Sequence, residues 1–282
     1  MDNSEYIELF EAERTLFFVC RLELENIMSR LKYHQMDSDF KSIKFGIYIY
    51  IKKLLRCFDD LKVIADSNSI QSMITLLRMI VDNYAILYLL TTFSNKEEQL
   101  LRYYLFLLEA TSKRPTVIND FASNIKNEMP VEAYVKPNSL INSDNEASIE
   151  LRRIIHEKDL DRNVTSEIIK KCNWRFRNPH EKDQKKNQLS WIELYTNAKI
   201  PNHHAKVLQN YHSTYVHGLG ISLIIESSQE KSPIIFHTIK LCNILMSMII
   251  IIIMTEFKEE TTDIRLNKLI SDYANDNWNN WV

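Results

Sequence analysis

The sequence predicts an all-α fold: an antiparallel bundle of long helices with a loop-rich, short-helix insertion in the middle. Three observations carry this. The 282 residues include 3 glycines, where average usage would supply roughly twenty, and glycine is the residue of turns, bulges and left-handed caps. No proline precedes Pro115. Up to that point the apolar residues recur at three- and four-residue spacing, the period of a helix face.

Four helices follow, over 4–34, 39–66, 69–93 and 96–112, with Ser38 and Ser94 at expected N-cap positions. Short polar joints such as Asp66-Ser67-Asn68-Ser69 fold successive helices back on one another. The character then changes. Pro115, Pro130, Pro137, Pro179 and Pro201 break the chain into short helices at 116–127, 146–157, 163–172 and 190–198. Long helices return over 202–226 and 232–260, with Pro233 in a first turn. A short helix at 263–274 leads into a polar tail whose Trp278 and Trp281 would dock on the bundle. The chain is read as a single helical domain, 1–282, with N-terminal helices (1–114), a cap region (115–200) and C-terminal helices (201–282).

Charge is nearly balanced, 35 Lys and Arg against 37 Asp and Glu, so the overall field selects no polyanionic partner. Cys20, Cys57, Cys172 and Cys242 are widely spaced. They read as reduced thiols of a cytoplasmic protein, and no secretory signal opens the chain. Between Lys240 and Glu256 no residue is charged, and Ile249 to Ile253 are consecutive isoleucines. A bilayer span needs about 20 apolar residues, and Asn243 and Ser247 interrupt this one. The expectation is a core helix and no membrane contact.

Three constellations are candidates for function. In the third helix Arg78 and Asp82 are the only charges between Met73 and Leu90. Four-residue spacing puts them on one face. They form either an internal ion pair or an arginine offered to phosphate and oriented by the aspartate. The late helix carries Tyr211, Ser213 and His217, followed by Gly218 and Gly220. Missing side chains beside an imidazole permit close helix packing or a ligand's approach, with the histidine as acid, base or phosphate partner. The third is the stretch Lys170, Lys171, Trp174, Arg175, Phe176, Arg177, continuing to Lys182, Lys185 and Lys186, with Glu181 and Asp183 as its acids. Cations interleaved with aromatics suit nucleic acid; a solvated loop with tucked rings is the other reading. His203, His204, His212 and His217 lack carboxylate or thiol neighbours at metal-binding spacing, so no metal is expected. No glycine-rich nucleotide loop is present, and no cofactor is implied.

Leu77-Arg78-x-x-x-Asp82, then Trp191, then Tyr211-x-Ser213-x-x-x-His217-Gly218 resemble a bacterial all-helical family of unknown function. That family is loosely similar to HEPN domains, helical bundles that often act as metal-independent ribonucleases in prokaryotic toxin and phage-defence systems. In them an arginine and a histidine lie on one helix with four to six residues between. Here Asn210, Tyr211 and His212 precede His217, and the literal spacing occurs only at Arg175 to His180, across Pro179. The resemblance therefore implies Arg78 as phosphate ligand, Asp82 as its orienter and His217 as proton carrier, with Ser213 and Tyr211 in support. RNA or a nucleotide would be the substrate. The alternative is a non-catalytic interaction module, binding a partner protein or a second copy, whose Arg78–Asp82–His217 cluster is internal.

Overall fold

The computed structural model describes residues 3–31, 41–66, 69–93, 95–125, 132–216, 231–257 and 272–273. Among them the regular structure is helical: α1 (Asn3–Arg30), α2 (Ile43–Asp66), α3 (Ile70–Thr91), α4 (Lys96–Ile125), α5 (Glu132–Glu157), α6 (Ser166–Lys170), α7 (Trp191–Asn197), α8 (Asn202–Val216) and α9 (Lys231–Glu256). The all-α class is as expected. Two compact units are present, one from Met1–Thr92 with Ser190–Val282, the other from Phe93–Leu189. The fourth helix thus falls in the same unit as the middle of the chain, and the joints between units lie at 92/93 and 189/190.

In the first unit α9 packs on α1, α2 and α3, while α7 and α8 pack on α3 and on each other. Nearly every residue of α9 from Leu241 to Ile253 is buried, which is why that stretch lacks an amphipathic pattern. Its two polar residues have partners. Asn243 donates Nδ2 to the Glu13 carbonyl (3.0 Å) and to Glu13 Oε2 (2.7 Å), and Ser247 donates to the Asn243 carbonyl (2.9 Å). Tyr273 also donates to Glu13 Oε2 (3.1 Å). By length and composition α3 and the Pro233–Glu256 part of α9 could each cross a membrane, yet most of each is buried in protein. All four cysteines are buried and free; burial pushes the Cys20 thiol up to about 11.

In the second unit α4 and α5 pack as a pair. The sequence reading ended α4 before Pro115, but the helix runs through it. A proline inside a helix costs about 3 kcal/mol, and contacts with α5 in the turn that leads into it offset that cost. Arg114 pairs with the buried Asp144, and Ser148 donates to Thr111 Oγ1 (2.8 Å). The cap of α4 is Asn95, whose Oδ1 accepts from the Glu97 and Glu98 amides (3.0 and 3.4 Å). At α2 the capping side chain is Ser42, accepting from the Phe45 amide (3.3 Å). Ser38 and Ser94 lie outside the described residues, as do the glycine pair at 218 and 220 and the C-terminal tryptophans.

Scarcity of glycine shows at the helix ends. A left-handed residue after the last turn lets two amides reach back to helix carbonyls. Here Asp159 (φ 55°), Cys172 (φ 50°) and Lys199 (φ 68°) take that role. After α7, the Lys199 amide bonds to the Thr196 carbonyl (3.1 Å) and the Ile200 amide to the Tyr195 carbonyl (3.0 Å). The Cβ of a non-glycine residue opposes this conformation by roughly 1–2 kcal/mol. Lys199→Gly is expected to stabilise the first unit by about 1 kcal/mol in urea denaturation, because the relieved strain exceeds the added unfolded-state entropy.

Candidate functional site

The polar cluster of the first unit is built on α3. Apolar residues surround Arg78 and Asp82 on that helix, leaving their side chains 19% and 21% exposed, with Arg78 Nε 3.7 Å from Asp82 Oδ2. The other carboxylate oxygen, Oδ1, accepts a short hydrogen bond from the Tyr195 hydroxyl. Tyr195 is fully buried on α7. A capping box fixes the start of that helix: Glu193 N donates to Ser190 Oγ (3.3 Å), and Ser190 N donates to Glu193 Oε2 (2.8 Å). Tyr84 adds a second tie, donating from α3 to the Ala198 carbonyl (2.9 Å).

Beside Asp82 the buried Asn83 accepts at Oδ1 from the Tyr50 hydroxyl (2.7 Å) and from Lys53 Nζ (3.0 Å), both on α2. Its Nδ2 donates to the Met79 carbonyl (2.6 Å). Burial raises the Asp82 carboxyl above its ordinary range, against the opposing pull of the Tyr195 hydroxyl and the Arg78 charge. Burial, reinforced by the Asp82 charge, holds the Tyr50 and Tyr195 phenols well above their usual values. Neither tyrosine ionises at neutral pH. Both stay hydrogen-bond donors, Tyr195 to the Asp82 carboxylate and Tyr50 to the Asn83 amide oxygen.

One group in this cluster is unused. Arg78 Nη1 is buried and has no hydrogen-bond partner among the described residues. A guanidinium turned by one aspartate and retaining a free edge has the chemistry to take a phosphate or carboxylate oxygen. Arg78 and Asp82 are thus together, as their spacing predicts. Tyr211 and Ser213 lie on α8, which packs on α3 and α7. His217 falls outside the described residues. Sequence reasoning missed Tyr195, Tyr50 and Asn83; tyrosines on apolar helix faces give no signal of the polar group they will meet.

The basic stretch belongs to the second unit and is ordered by hydrogen bonds. Phe176 and Gln188 form an isolated antiparallel bridge. Asn187 Oδ1 accepts from the Arg177 and Asn178 amides (3.0 and 2.8 Å), and its Nδ2 donates to the Asn178 carbonyl (2.9 Å). Arg102 of α4, 3% exposed, donates to the carbonyls of Trp174 (2.7 Å) and Phe176 (2.9 Å) and to Glu98 (2.7 Å). Its guanidinium lies 3.7 Å from the Phe176 ring centre.

The aromatics do not offer the expected stacking surface. Trp174 is 4% exposed, packs edge-on against Phe106 and donates Nε1 to Glu109 (2.6 Å). Arg175 is half-buried, and burial pulls its guanidinium below the ordinary value. Lys170, Lys171, Arg177, Lys182, Lys185 and Lys186 are exposed. Glu167 and Asp183 lie near Lys170 (4.0 Å) and Lys186 (3.7 Å), and Arg177 donates to the Lys186 carbonyl. No group of three or more metal-ligating side chains occurs among the described residues. Comparison with known families, curated proteins and solved structures gives no match to this chain.

Proposed function

We propose that the protein binds RNA or a nucleotide through phosphate contacts, with the cations of the 170–186 segment as the contact surface. One observation carries this. Lys171, Lys182 and Lys185 are exposed on a segment fixed by Asn187 and Arg102, and no carboxylate among the described residues pairs with them. Ordered lysines without partners are placed for phosphate oxygens, while the buried Trp174 favours backbone contact over base stacking. The test is fluorescence anisotropy of a labelled single-stranded RNA across a salt series. The variant carrying Lys171→Glu, Lys182→Glu and Lys185→Glu is expected to bind weakly and to lower the salt slope by about 2 units. RNA affinity unchanged by the three substitutions overturns the reading.

The unpartnered Arg78 Nη1 favours a second reading, a metal-independent ribonuclease of the defence or toxin type that the HEPN resemblance implies. In it Arg78 holds phosphate, Asp82 turns Arg78 and His217 moves the proton, with Ser213 and Tyr211 in support. Cleavage of RNA in the presence of a chelator, lost in Arg78→Lys and His217→Ala proteins of unchanged melting temperature, supports this. Absence of cleavage with a lowered melting temperature for both variants leaves the cluster as the internal glue of a binding module.

A further inference from the structure

A cavity of about 280 Å³ lies in the first unit among α1, the end of α2 and the start of α9. Phe10, Phe17, Phe18, Leu61, Ile235 and Ile239 make its wall, and Arg14, Lys62 and Asp66 are its charged groups. Water in the liquid fills about 30 Å³ per molecule, so the space suits roughly nine carbon-sized groups. That is below the usual range of about 300–1,000 Å³ for drug-sized ligands, and the aromatic wall matches a short apolar chain.

The charges select the head group. Arg14 lies within ion-pair distance of both Glu11 (3.4 Å) and Asp66 (3.5 Å), so two carboxylates answer its charge. Lys62 is different. Its ammonium sits 4.6 Å from the Phe18 ring centre, and no carboxylate among the described residues pairs with it. Cation without anion, above an apolar cleft, is the complement of an amphiphile with a negative end. A cationic head would meet Lys62 and Arg14 together, and a neutral one would leave Lys62 as it is.

We infer that this cavity binds a free medium-chain carboxylate, its chain of about eight to ten carbons against Phe17, Phe18 and Ile239 and its carboxylate on Lys62. The inference stands apart from the RNA reading, which concerns the other unit. Isothermal titration calorimetry on the full chain with hexanoate, octanoate, decanoate and dodecanoate tests it. Affinity is expected to rise by about fourfold per methylene up to the length the cavity admits, then to level off. Ala65→Trp, placed at the lining, should abolish octanoate binding. Lys62→Glu, at an exposed position that leaves folding intact, should weaken octanoate by about tenfold and leave octanol unaffected.

Several results overturn the inference. They are a lack of octanoate binding, octanoate binding indifferent to both variants, and equal binding of octyltrimethylammonium. Co-sedimentation with phosphatidylglycerol vesicles without octanoate binding also overturns it, and assigns the cleft to a lipid surface. RNA affinity should be the same with and without octanoate, so failure here leaves the RNA reading standing.

Discussion

Arg102→Leu is expected to free the 172–189 segment from α4 and to destabilise the second unit by about 3–5 kcal/mol. The arginine satisfies the Trp174 and Phe176 carbonyls and the Glu98 carboxylate simultaneously, in a site nearly closed to water. Leucine restores the apolar volume but leaves two backbone carbonyls with no donor, each costing about 1–3 kcal/mol when buried, and strips the half-buried Glu98 carboxylate of its partner. Burial alone pulls the Arg102 guanidinium below its ordinary value, with Glu98 opposing. Arg102→Lys should recover little, because a compact ammonium cannot span two carbonyls and a carboxylate as the planar fork does. Hydrogen exchange reads the effect locally. The amides of Arg177 and Leu189, bonded to the Asn187 and Arg175 carbonyls (2.8 Å each), should lose protection in both variants. Unchanged protection would show that Asn187 holds the segment without help.

Tyr195→Phe should destabilise the first unit by about 1–3 kcal/mol, since it removes the donor to a half-buried Asp82 oxygen and adds nothing. Its signature is the pH profile. The folded Asp82 carboxyl titrates above the 3.8 of a free aspartate, chiefly through burial. Below 3.8 the group is protonated in both folded and unfolded chains and leaves stability unaffected. As pH rises from there the unfolded chain ionises first, so Asp82 lowers stability progressively until the folded carboxyl has also lost its proton. Without the Tyr195 hydroxyl to favour the ionised form, the Phe variant should extend that decline to higher pH. Asp82→Asn should abolish it. Urea midpoints measured from pH 3.8 upward check both, and identical slopes in wild type and Asp82→Asn would remove Asp82 from the account.

How far the sequence speaks depends on the kind of signal. Helix existence was legible because glycine scarcity and apolar period agree, and α2, α3 and α9 end within a few residues of expectation. Pro115 misled because a local rule for helix ends took no account of the Arg114–Asp144 and Ser148–Thr111 ties to α5. The Arg78–Asp82 pair was legible, being local on one helix. Tyr195 was not, since it reaches Asp82 from a helix more than a hundred residues later. Arg102 was hidden for the opposite reason. One turn after Glu98 it reads as half of a surface ion pair, and only the folded Trp174–Phe176 backbone gives it a buried role.

The first unit is assembled from two stretches of chain with the whole second unit between them. On the ribosome, α1, α2 and α3 emerge with the faces that α9 will cover still bare. Roughly 140 residues separate Thr91 from Lys231, a wait on the order of ten seconds at ordinary translation speed. The nascent protein therefore exposes apolar surface until its isoleucine-rich helix arrives, and truncating synthesis before that point should drive it into aggregates.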